Sequence, residues 1–133
     1  MKIFRQLMLT TVALVAALVL FQGPVLGHHS FSMFDMGTTV VLEATVKEFQ
    51  WTNPHTFTWV EVANKAGVVE TWGIEGMSPN FLGRRGWTKK TLQAGDKITL
   101  SIYPLKDGQK GGTFVRAKLA DGKEMVMFGG PGN

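Results

Sequence analysis

The chain has no cysteine, one tyrosine and only three histidines in its 133 residues. The lack of cysteine excludes disulfides, a thiolate nucleophile, cysteine-held zinc or iron–sulfur centres, and lipid attachment at an N-terminal cysteine. Hydrolytic signatures are missing too: the chain has no Gly-x-Ser-x-Gly elbow, no His-Glu-x-x-His helix and no Gly-Lys-Ser/Thr phosphate loop. Long uncharged runs are scarce, and the one that exists, Leu7 to Phe21, is shorter than the roughly 20 residues needed to span a bilayer.

That run follows a basic head, Lys2 and Arg5, and is ended by Pro24 and the compact exit Val25-Leu26-Gly27. Basic head, apolar middle and small-residue exit are the three regions of a secretory signal peptide, so residues 1–27 are expected to be removed on export and His28 to become the new N-terminus. An uncleaved N-terminal anchor is the alternative. Of the 14 Lys and Arg residues, Lys2 and Arg5 belong to this leader, which leaves 12 against 10 acidic residues. The apparent basicity is therefore half leader, and no dedicated nucleic-acid surface is implied.

An exported chain without disulfides has to be held by one hydrophobic core, and about 100 residues suffice for a single domain. Residues 28–128 form that domain, and the closing GGPGN, residues 129–133, is expected to be a disordered tail. Apolar residues recur with period two. Thr38 to Phe49 sets Val40, Leu42, Ala44 and Val46 on one face, and Thr56 to Ala63 sets Val60 and Val62 opposite Phe57, Trp59 and Glu61. Val68 to Gly76 makes a third strand across an Asn64–Gly67 turn. Ser78 and Pro79 then read as an N-cap and first-turn proline of a short helix ended by Gly83. Lys97 to Tyr103, Thr113 to Leu119 and Glu124 to Phe128 read as later strands, separated by turns at Asp107–Gly112 and Asp121–Gly122. Three strands, a helix and two or three more strands is the order of an all-β, five- or six-stranded barrel of the OB type. A β-sandwich and an SH3-like roll share the same alternation.

The runs HHSFSMFD, VKEFQWTNPH, WGIEGMSPNFLGRRGW, LQAGDKITLSIYPLKDGQKGG and LADGKEM resemble an uncharacterised family of small exported proteins from Gram-negative bacteria, a domain of unknown function. The resemblance runs from His28 to about Met125. It implies that the histidine pair after the leader and the Asn53-Pro54-His55 turn belong to the family's pattern, and it carries over no activity.

The histidines carry what chemistry the chain offers. An N-terminal histidine presents its α-amine and ring Nδ1, which close a six-membered chelate, and one further imidazole completes a three-nitrogen set suited to Cu(II). His28 would supply the chelate and His55, at the turn between the first two strands, the third nitrogen. In an extended segment His28 and His29 point to opposite faces, so they are not expected to meet His55 at one ion together. His29 then borders the site, faces a partner or stays solvated. Met33, Met36 and Met77 are thioethers that would extend the site to Cu(I), or gap-fillers of core and surface. A hydrated N-terminal arm beside a turn histidine bonded to backbone is the reading without metal.

Other signals are weaker. Trp51, Phe57, Trp59 and Trp72 fall at strand spacing and are expected in the core, although one face of such barrels binds oligomers through aromatics. Arg84, Arg85, Lys89 and Lys90 surround Trp87 as a solvated rim or a contact for anionic headgroups or an acidic partner. Glu75 is a water-facing strand residue, a general base, or an acceptor for the N–H of a metal-binding histidine. Three functions follow. One is a periplasmic copper-binding protein; another is a noncatalytic binding or assembly module engaging a protein, glycan or membrane surface. The third is a copper oxidoreductase centred on His28.

Overall fold

The computed structural model describes Met1 and residues 31–128. The rest of the leader, His28, His29 and the tail from residue 129 lie outside the described residues. Residues 31–128 form a closed barrel of strands β1 (Val40–Gln50), β2 (Phe57–Ala63), β3 (Val69–Glu75), β4 (Lys97–Pro104) and β5 (Gly111–Leu119). A sixth strand, β6 (Glu124–Val126), pairs along β5, and one short helix, α1 (Pro79–Gly83), sits between β3 and β4. The sheet order is β3-β2-β1-β4-β5-β6, and a parallel pairing of β3 with β5 closes the ring at Gly73–Glu75 against Gly111–Thr113. A sandwich or a roll would lack that closure; the all-β barrel of OB order is the fold.

Each element follows from local chemistry. The Asn64 side chain accepts from the Ala66 and Val68 N–H groups, and Gly67 takes the left-handed conformation (φ 79°), so the β2–β3 turn is written in its residues. Ser78 caps α1 by accepting from Phe81 N at 3.3 Å, with Pro79 in the first turn. The inward row Leu42, Ala44 and Val46 of β1 meets Val60, Ile74, Ile98, Leu100, Ile102 and Phe114 in the core. Leu82, Trp87 and Leu92, from α1 and the loop after it, join this cluster.

Two departures from simple alternation matter. A bulge at Lys47 shifts the phase of β1, so Glu48 faces outward opposite Trp59 and Phe49 turns inward to the core. The stretch Gly111–Gly112, expected in a turn, is the start of β5. A Cβ on Gly111 would come within 2.8 Å of the Gly73 carbonyl, and one on Gly112 would strike the Tyr103 carbonyl, so the barrel closes only over glycine here.

Trp87 is buried at 2% exposure, its ring edge-on to Phe114 at 5.6 Å, so it belongs to the core and is not displayed by the basic residues around it. Arg85 is tied down, its guanidinium 4.1 Å above the Phe81 ring and donating to the Met127 carbonyl at 3.2 Å. Arg84, Lys89 and Lys90 remain an exposed rim.

Two surface carboxylates make stability pH-dependent. Hydrogen bonds from the Thr38 hydroxyl and then the Gly37 N–H hold Asp35 below its ordinary value, and bonds from Lys110 and then Asn64 do the same for Glu70. A carboxyl whose folded pKa is depressed contributes stability above its unfolded value and loses it as pH falls through the folded one. The thermal midpoint should therefore fall on acidification through the carboxylate range. Melts followed by circular dichroism should show a flatter fall for Asp35→Asn with Glu70→Gln, and an unchanged slope would contradict the assignment.

Candidate functional site

β2 presents two faces in strict alternation. Thr56, Thr58 and Val60 are buried, while His55, Phe57, Trp59 and Glu61 form a row on the outer side. His55 heads that row, in the loop between β1 and β2 where the Asn53–Pro54 peptide is cis. Its side chain is 32% exposed, at the rim of the barrel as the turn implied.

The backbone on both sides of His55 is fixed. The Thr52 hydroxyl donates to the His55 carbonyl at 3.0 Å, and Thr56 donates to the Met77 carbonyl through its N–H (3.1 Å) and its hydroxyl (2.9 Å). Gly76 N–H returns a bond to the Thr56 carbonyl at 2.8 Å. Gly76 is glycine for a steric reason: a Cβ there would strike the Thr56 hydroxyl and come within 2.9 Å of the Met127 sulfur.

The imidazole is held through one nitrogen. Nδ1 lies 3.1 Å from the Gly76 carbonyl and 3.5 Å from Glu75 Oε1. A carbonyl can only accept, so Nδ1 carries a hydrogen, and in the neutral ring Nε2 then has the lone pair. Gly76 is the closer acceptor, and the Glu75 carboxylate adds an electrostatic pull on the same N–H. This is the arrangement in which metal-binding histidines are commonly held, one nitrogen anchored to carbonyl or carboxylate and the other free. Glu75 thus lies beside a histidine whose Nδ1–H bonds to Gly76, with a side chain 15% exposed, and is not a freely solvated strand residue.

Among the described residues no group of three His, Cys, Asp or Glu side chains is placed to hold a metal ion. Of the three histidines, the structure locates His55; His28 and His29 lie outside the described residues. Met33 and Met36 are surface residues, 37% and 44% exposed, whereas Met77 is partly buried and packs against the core.

The aromatics divide. Trp51 and Trp72 pack against the core as expected. Phe57 and Trp59 do not; they lie half-buried on the outer face, ring centroids 5.4 Å apart, above Gly73, where a Cβ would come within 2.7 Å of the Trp59 ring. A depression of about 670 Å³, lined by Glu43, Thr45, Glu61, Lys97 and Thr99 among others, begins beyond Glu61, at the opposite end of the row from His55.

The His55–Glu75 proximity was not read from the sequence, but a signal for it exists. A tight turn centred on Asn64–Gly67 fixes the β2–β3 register, in which Glu61 meets Thr71, Trp59 meets Gly73 and Phe57 meets Glu75. Continuing that register by one pair brings Thr56 opposite Gly76, with His55 next to it.

A family model described as a family of unknown function (DUF6152) matches residues 16–116. No curated protein and no solved structure matches the chain.

Proposed function

The chain belongs to this family of unknown function, and on that premise we propose that it is an exported periplasmic protein that binds one copper ion through the N-terminal His28 and the ring of His55. The observation that carries the reading is the anchored imidazole at the barrel rim, with Nδ1–H committed to the Gly76 carbonyl beside Glu75, so that the neutral ring has Nε2 to offer a metal ion. The α-amine and Nδ1 of His28 add two nitrogens, and nitrogen sets of this kind favour Cu(II) over other divalent ions. The family carries no activity to weigh against this.

Titration of the processed protein with Cu(II) tests this. One equivalent should bind, His55→Ala should weaken binding beyond the roughly 10- to 100-fold typical of outer groups, and Glu75→Gln should fall within that range. His29→Ala should leave the affinity in place. Equal binding by wild type and His55→Ala would sink the proposal. The alternative, a noncatalytic module engaging a protein, glycan or membrane surface, is favoured by one observation, the outward Phe57–Trp59 pair.

A further inference from the structure

Alternation makes positions 57 and 59 solvent-facing, yet they carry the chain's outward aromatic pair. Gly73 explains how the rings are accommodated: without a Cβ opposite Trp59, the indole lies against the sheet backbone with Phe57 beside it. Trp59 stays partly exposed to solvent. Gly73 does not explain why the rings are there.

Their neighbours follow from the register. Across β1, Gln50 stands opposite Phe57, Glu48 opposite Trp59 and Thr45 opposite Glu61; across β3, Glu75 stands opposite Phe57 and Thr71 opposite Glu61. Cross-strand partners share a face, so three carboxylates, Glu48, Glu61 and Glu75, ring the two aromatics. Among the described residues none of the three is paired with a lysine or arginine. Glu48 accepts from Gln50 Nε2 at 3.0 Å, and the partner of Glu75 is His55. Cations nearby include Lys47, on the bulge, Lys97, which donates to the Thr45 hydroxyl at 2.6 Å, and Lys118, which lines the depression at Glu61 with Lys97.

We propose that this outer face of β1, β2 and β3 is a binding surface for a basic, arginine-bearing segment of a partner protein in extended conformation, with a guanidinium seated on Trp59 between Glu48 and Glu61. Charge complementarity selects the occupant. Carboxylates repel a polyanion, and a neutral sugar would cover the rings and leave the charges unmatched. A guanidinium satisfies both, stacking on an aromatic face while its fork donates to carboxylates. The protein already uses this chemistry internally, with Arg85 over Phe81 at 4.1 Å and Lys110 over Trp72 at 5.3 Å. Spacing selects an extended peptide over a small cation. Phe57, Trp59 and Glu61 repeat at about 7 Å along β2, the spacing of alternate side chains in another extended chain.

The probe is the hexapeptide Arg-Gly-Arg-Gly-Arg-Gly, titrated into the processed protein and followed by calorimetry and by the indole N–H signal of Trp59. Saturable binding is expected, weakened by salt, with the lysine analogue roughly threefold weaker. Glu48→Gln with Glu61→Gln should cost roughly fivefold. These two side chains face outward, so the double variant keeps its fold. Trp59→Leu should abolish the preference for arginine over lysine, and His55→Ala should leave peptide binding intact, which separates this surface from the copper reading. No saturation at millimolar peptide, wild-type affinity in the double variant, or tighter binding of a neutral oligosaccharide at Trp59 would each overturn it.

Discussion

Adding a single residue in front of His28 should lower Cu(II) affinity by more than a hundredfold. The change converts the α-amine into an amide, whose nitrogen has no lone pair to give without losing a proton, and so opens the six-membered chelate between the amine and ring Nδ1. The His28 imidazole survives but must then bind as a separate ligand, without the advantage of a preassembled pair. Loss of a group that touches the ion should exceed the roughly 10- to 100-fold that outer groups cost. The result depends on cleavage after Gly27, so intact-mass measurement of the processed protein belongs to the same experiment. A one-residue extension that binds copper as tightly as the native N-terminus removes the amine from the site.

Replacing Phe114 by alanine should cost about 3–5 kcal/mol. Phe114 is fully buried on β5, two residues past the glycines that close the barrel, and its ring meets Trp87 edge-on. Trp87 in turn approaches Phe49, and Phe49 approaches Trp51 at 5.9 Å, so one aromatic chain runs from the loop that carries His55 into the middle of the core. Deleting the ring at its inner end leaves a cavity that a closed barrel cannot collapse to fill, because the strands on both sides are pinned by pairing. With no disulfide to share the load, total stability in the usual range of about 5–15 kcal/mol would fall by roughly a fifth or more. The thermal midpoint should drop by roughly 15–30 °C. A shift of only a few degrees would mean that Phe114 is not the centre of the core.

The fold was legible where side-chain period and turn chemistry act locally. Leu42, Ala44 and Val46 announced β1, Asn64 and Gly67 the hairpin, Ser78-Pro79 the helix. The features that escaped are set by contacts distant in sequence. Gly111 and Gly112 look like turn residues until β3 is placed beside them, because their smallness answers the Gly73 and Tyr103 carbonyls. Phe57 and Trp59 look like core residues until Gly73 is seen to give them a seat on the outer face. The bulge at Lys47 leaves no mark that alternation alone can register, yet it decides that Glu48 joins Trp59 and Phe49 joins the core.

The candidate site divides along the same line. The position of His55 at a turn was readable from Asn53-Pro54, whereas the commitment of its Nδ1 required the register that brings Gly76 and Glu75 across from Thr56 and Phe57. Glu75 changes most in meaning. As a letter among glycines and apolar residues it had several roles open to it, and in the fold its carboxylate stands 3.5 Å from the His55 ring nitrogen.

Electron paramagnetic resonance of the processed protein loaded with one equivalent of Cu(II) tests the central claim most directly. Three nitrogen couplings are predicted, falling to two in His55→Ala, with a different pattern again when one residue precedes His28. A copper spectrum that is the same in wild type and in His55→Ala would contradict the account.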